Sequence, residues 1–212
     1  MFPILLMGLI PGILVNSLIY LYQKKDKSIG ELTLPIDILI ILCGVFYMVS
    51  GCYVYGIRLV PILSVAVNAT MLLFTSYTDI RCSQVYIFFA DISVVIQALL
   101  VIYLFRGGLI NADKLRYLLF YTAIIIIFVF FGLARADGVI YLSCILSFLI
   151  VCRTYFELAV LMLLFVSSVM AFILNVKRIW KKEERKKRFP FTSYIAFGCL
   201  CSYFVFSFML YI

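Results

Sequence analysis

Two aspartates stand out among the few residues able to do chemistry. Asp79, in TDIRC, follows one long apolar run, and Asp137, in GLARAD, precedes another. Two carboxyl groups brought together do not both ionise cheaply, so one keeps a proton while the other stays charged. Such a pair activates water with one carboxylate and protonates a scissile carbonyl oxygen with the other. Peptide hydrolysis then needs no histidine, metal or covalent intermediate. The chain has no histidine, which removes Ser-His and Cys-His catalysis and the commonest metal ligand. Its seven cysteines are scattered, mostly inside apolar runs, and no CxxC pair occurs. No zinc site is expected, and the cysteines read as small packing residues. The competing reading of both aspartates is as caps of the adjacent helices, and spacing alone favours it.

The elements that must position this pair are dictated by composition. Of 212 residues, 66% are hydrophobic and 13% charged, more apolar surface than a soluble interior can hide. A bilayer is the natural solvent, and a spanning helix needs about 20 apolar residues. Eight spans are expected, near 2–22, 36–55, 58–77, 85–105, 117–134, 138–153, 156–176 and 194–212. The second and third are barely separated around Gly56–Arg58. The fold class is therefore all-α, a polytopic helical bundle forming a single integral-membrane domain over 1–212, with no separate soluble domain. The first span lacks a small-residue cleavage signature and reads as an anchor.

Charge gives an orientation. With the N-terminus outside, the inner segments hold thirteen basic residues, namely Lys24, Lys25, Lys27, Arg81, Arg135 and eight in KRIWKKEERKKR at 177–188. The outer segments hold five: Arg58, Arg106, Lys114, Arg116 and Arg153. The excess marks the cytoplasmic side. Both Asp79 and Asp137 then fall at the cytoplasmic boundary, 58 positions apart in sequence. Attraction to anionic lipid headgroups explains the basic cluster without nucleic acid.

Other polar residues have structural or substrate-cavity readings. Asp91 sits in the fourth expected span, six positions before Gln97, and a charge there must face the bundle interior or water, or be protonated. Asn16 and Asn68 are expected to join helices by hydrogen bonds. Asp37 and Glu157 lie near span ends and reach the interface.

Four segments carry a family resemblance. TDIR after an apolar span resembles the first aspartate motif of type IV prepilin peptidases, and GLARAD at 132–137 resembles their second, Gly-x-Gly-Asp. GLIPGILVNSLIYLY at 8–22 is similar to the first helix of that family, including Asn16. RFPFTSYIAFG at 188–198 is similar to the Pro-Phe-x-Pro-Phe-like opening of its last helix. The four stand in the family's order and cover essentially the whole chain. The resemblance implies a membrane aspartyl peptidase with catalytic Asp79 and Asp137 and no cofactor. It would cut the basic leader from a prepilin-like or pseudopilin-like membrane protein after a glycine, at the cytoplasmic face.

The chain also departs from the pattern. Val85-Tyr86 stands where Ile-Pro is usual, Ala134 and Ala136 replace the two glycines, and Val139 replaces a lysine. Arg135 is expected to supply some of that missing charge, and Arg135 and Asp91 are the candidate substrate-binding residues. The family's cytoplasmic domain, associated with N-methylation, is reduced to QKKDKSIGELTLP at 23–35, so the resemblance implies peptidase without methyltransferase activity. The alternatives are an inactive relative acting as a membrane-binding or assembly partner, and a presenilin-like protease. A transporter lined by Asp91 and Gln97 is a third, without the broken-helix repeat that would favour it.

Overall fold

Apolar residues crowd every side of most expected helices, the pattern of a bundle dissolved in lipid. The computed structural model describes residues 2–26, 29, 32–52, 58–83, 85–131, 134–180 and 191–209. Within them run eight α-helices: α1 Phe2–Gln23, α2 Leu34–Cys52, α3 Leu59–Cys82, α4 Ile87–Arg106, α5 Ala112–Phe130, α6 Arg135–Val151, α7 Phe156–Trp180 and α8 Phe191–Met209. The linker at 53–57, Gly132–Leu133 and the basic run at 181–188 lie outside the described residues.

Among the described residues, five helical stretches are long and apolar enough to cross a membrane: Pro3–Gln23, Leu34–Cys52, Leu59–Cys82, Ile87–Arg106 and Arg153–Asn175. Helix α5 opens with the charges of Asp113, Lys114 and Arg116. Helix α6 has only 17 residues, and the described apolar part of α8, Phe191–Phe206, is also short. The chain is thus an all-α, polytopic membrane-helix bundle with five candidate spans, where hydropathy alone suggested eight.

Several helix ends also depart from the apolar runs in one direction. Helix α3 continues past residue 77 to Cys82, α6 starts at Arg135 and α8 at Phe191. Polar side chains end the apolar stretch, but backbone groups near a membrane still require partners, and one more helical turn supplies them. These extra turns hold the residues of interest. Helix α3 stops at Ser83, which adopts the left-handed conformation (φ 53°) and donates its backbone N–H to the Asp79 carbonyl at 3.0 Å.

Helix α6 is the centre of the bundle. It is buried on all sides from Ala136 to Val151 with few exceptions, against α3, α4, α5, α7 and α8. Lipid tails are as apolar as the helices, so association depends on close packing and interhelical hydrogen bonds. Both are present. Asn68 on α3 donates to the Tyr203 hydroxyl at 3.1 Å and accepts from Ser143 at 3.3 Å, and Ser143 meets Ser93 at 2.7 Å. Gln97 on α4 donates to the Ser64 carbonyl at 2.8 Å and accepts from the Ser64 hydroxyl at 2.7 Å. Asn68 therefore joins helices as expected. Asn16 does so too, donating to the Asp37 carbonyl at 3.3 Å.

Close packing is tightest between α1 and α2. A Cβ added to Gly12 would lie 2.5 Å from the Ile41 Cα, and one on Gly8 would lie 2.7 Å from the Val45 Cα. On the facing helix, a Cβ on Gly44 would lie 2.9 Å from the Gly12 nitrogen. The spacing Gly8-x-x-x-Gly12 is the small-residue stripe that lets two backbones touch. Beyond that crossing, Tyr86 donates to Asp26 at 3.0 Å, and its ring meets Tyr22 edge-on at 5.2 Å. This contact ties the α1–α2 connection to the α3–α4 connection, at the end of the bundle that carries Asp79.

Two predictions follow from the packing. Gly12→Leu should destabilise the protein in detergent by at least about 1–3 kcal/mol, because backbone must move to admit it. Ile13→Leu, on the lipid-facing side (53% exposed), should be neutral in the same thermal unfolding assay. Burial, and then the Asp26 carboxylate, push the Tyr86 phenol up to about 12. The folded state keeps that proton while the unfolded chain releases it near pH 10. The Tyr86 contribution is therefore intact below pH 10 and lost as pH rises toward about 12. Tyr86→Phe should flatten the stability profile across that window.

Candidate active site

Alternation of helix direction fixes which residues can meet. The end of α3 and the starts of α6 and α8 lie at one end of the bundle, so Asp79, Asp137 and Thr192 share a depth. Their side chains converge. The backbone N–H of Thr192 donates to Asp79 Oδ2 at 3.1 Å, and the Thr192 hydroxyl donates to Asp137 Oδ1 at 3.3 Å. Two aspartates far apart in sequence are thus bonded to two atoms of one threonine. Both are almost fully buried, at 2% and 5% exposure, and Thr192 is completely so.

Each carboxylate has a local reason for its position. Asp137 lies in the first turn of α6, and Asp79 accepts an N–H from the first turn of α8. A helix N-terminus carries roughly half a positive charge. Two such ends together offset about one negative charge. The capping alternative takes a different form from the one expected. Ala134 is the N-cap of α6 and Tyr86 that of α4, neither with a side-chain cap bond. Asp137 stands in the first turn of α6 itself, and Asp79 accepts a backbone N–H at the start of α8 across the bundle.

The other two candidates lie apart from this convergence. Arg135 is exposed at the start of α6, and Asp91 is exposed one turn into α4. Asp91 therefore faces out of the bundle, and Gln97 takes the inward position. Six residues on a helix are about 120° apart around its axis, so the two do not share a face. Glu157 pairs with Lys114 at 2.7 Å at the opposite end of the molecule.

Thr192 was missed by sequence reasoning. A signal existed, because it stands in RFPFTSYIAFG, the segment singled out for its opening. Hydropathy, however, started the last helix at 194 and left the threonine in a linker.

The departures from Gly-x-Gly-Asp take on a concrete meaning here. Ala134 has φ −61° and ψ 139°, and Ala136 is helical. Among the described residues only Ser83 and Gly108 have positive φ. Alanine is unstrained at both positions, so no glycine is required to hold this backbone.

The groove beside the pair is apolar. A cavity of about 350 Å³ lies between α5, α6, α7 and the start of α8, lined by Ile125, Phe128, Phe131, Tyr141, Leu164, Ser168 and Phe191. Tyr141 is one helical turn beyond Asp137, and Phe191 adjoins Thr192. Among the described residues, no three His, Cys, Asp or Glu side chains converge as metal ligands.

A thermodynamic cycle tests the bridge. Thr192→Val removes the hydroxyl and keeps both shape and backbone N–H. It should cost about 1.5–3 kcal/mol, the range for a hydrogen bond to a charged group, while Thr192→Ser should cost much less. The Thr192→Val and Asp137→Asn effects should couple, whereas Thr192→Val and Asp91→Asn should add. Thermal unfolding in one detergent reads all of these variants. No family model, curated protein or solved structure matches this chain.

Proposed function

We propose that this protein is a membrane aspartyl endopeptidase of the prepilin peptidase type. Asp79 and Asp137 share one proton: one carboxylate activates water, and the other protonates the scissile carbonyl oxygen. The observation that carries this reading is the joint hydrogen bonding of both buried aspartates to Thr192. It is supported by where the resemblance falls. Three of the four similar segments, those at 78–81, 132–137 and 188–198, supply the three residues that meet.

The substrate is a prepilin-like or pseudopilin-like protein with a basic leader, a glycine and an apolar stem. The thirteen-to-five excess of basic residues at the aspartate end supports a cytoplasmic orientation of that end in the cell membrane. Cleavage then falls between leader and stem at the inner face. In lipid α5, α6 and α8 complete eight crossings, the burial of α6 relieving its short length. Anionic lipid neighbours the basic run at 177–188.

An inactive relative is the second reading. Val139 in place of the family's lysine and the exposure of Arg135 favour it. The replacement of glycine by alanine does not, since that backbone is ordinary.

Asp79→Asn and Asp137→Asn separate these readings. Asparagine caps a helix about as well as aspartate but cannot cycle a proton. Each variant should insert and fold, losing no more stability than the charged hydrogen bond to Thr192 is worth, yet lose cleavage of a leader-glycine-stem reporter by roughly 10³-fold or more. The double variant should be hardly worse than either single one. Chelators should leave turnover intact. Near-native cleavage by either single variant would return that aspartate to a structural role.

A further inference from the structure

The groove next to the aspartates has a shape that its chemistry does not require. Helices α5 and α7 are fastened to each other at the far end of the bundle. There, Lys114 pairs with Glu157 at 2.7 Å and the Tyr121 ring meets Phe156 at 6.0 Å. Toward the aspartate end the space between them is the cavity of about 350 Å³. Its floor, Ile125 and Tyr141, is buried at 5% and 3% exposure. Its mouth is open: Phe128 is 51% exposed and Phe131 80%.

The groove therefore runs from the lipid-facing surface inward to the neighbours of Asp137 and Thr192. Beside it, α5 and α6 make one close contact. A Cβ on Gly138, the residue after Asp137, would lie 2.5 Å from Val129 Cγ2. Helix α5 thus leans on α6 through Val129 beside the carboxylate. A cavity of about 150 Å³ takes up one benzene ring, so this one has room for about two large apolar side chains. It is too small for a whole helix.

We infer that this groove is the lateral docking site for the apolar transmembrane segment of the substrate, entered from the bilayer between α5 and α7. The inference rests on the peptidase reading. A polypeptide is favoured over a lipid tail by continuity: the groove ends at Tyr141 and Phe191, beside the two residues that hold the hydrolytic site. A chain seating two side chains there would extend its backbone to the pair at the cytoplasmic edge. Holding the scissile bond in that position is a large part of catalysis by two acids.

The docking is read without turnover. Asp79→Asn protein carrying a photoreactive phenylalanine analogue at Phe128 would be reconstituted in phosphatidylethanolamine–phosphatidylglycerol vesicles. The vesicles would also hold a synthetic reporter with a lysine-rich leader, one glycine and a stem of about 20 apolar residues. The control carries the analogue at Tyr103, 65% exposed on α4. The expected result is a several-fold higher yield of reporter adduct at 128 than at 103. Ser168→Trp, which fills the mouth from an exposed position, should reduce it. Equal yields at the two sites, adducts with lipid alone at 128, or a yield indifferent to Ser168→Trp would overturn the inference. Cleavage by the native protein without this adduct pattern would remove the groove and keep the peptidase. The adduct pattern without cleavage would do the reverse.

Discussion

The Thr192 bridge to Asp79 and Asp137 is the constraint on which the site depends. Two carboxyl groups at low exposure in a membrane protein are expensive unless each finds donors and compensating charge. One residue supplies both with a donor. It does so because α8 begins three residues before the point where its apolar run begins, leaving a backbone N–H and a hydroxyl to face the pair. The N-terminus of α6 adds a second positive dipole end. The site is therefore assembled from three helix termini, and it forms only if α3, α6 and α8 end at the same depth.

The remainder of the bundle serves that registration. Helix α6 is buried almost along its whole length, so it cannot slide without breaking contacts on every side. Asn68 and its partners Ser143 and Tyr203 lock α3, α6 and α8 together in mid-bundle. The Gly8, Gly12 and Gly44 crossing fastens α1 to α2 without side chains between them. Tyr86 and Asp26 bind the adjoining connections at the aspartate end. The α5–α7 flank, by contrast, is joined at one end by Lys114 and Glu157 and grooved at the other.

Sequence reasoning read the large features because their causes are local. Apolar content gave an all-α membrane bundle, and parity of helix direction put Asp79 and Asp137 at one end. Helix boundaries were less legible. Hydropathy ends where apolar residues end, but a helix continues until its backbone groups are satisfied, which moved Asp79, Asp137 and Thr192 into terminal turns. The length of α6 and the charges opening α5 likewise separate helices from spans. Facing was legible in part: Asp91 and Gln97, six apart, lie on different faces of α4, and the hydrogen bonds to Ser64 mark Gln97 as the inward one. Arg135 shows the opposite limit, since nothing local says which side of a first turn meets the neighbouring helices.

The central claim is that α3 and α6 bring Asp79 and Asp137 into one site. Its most direct measurement is cross-linking in native membranes with a short bifunctional thiol reagent, after replacement of the seven native cysteines. Asp79→Cys would be paired with Asp137→Cys and, as comparison, with Val151→Cys at the other end of α6. An intramolecular cross-link is expected for the 79–137 pair and none for 79–151. Absence of the first, or equal yields of both, would contradict it.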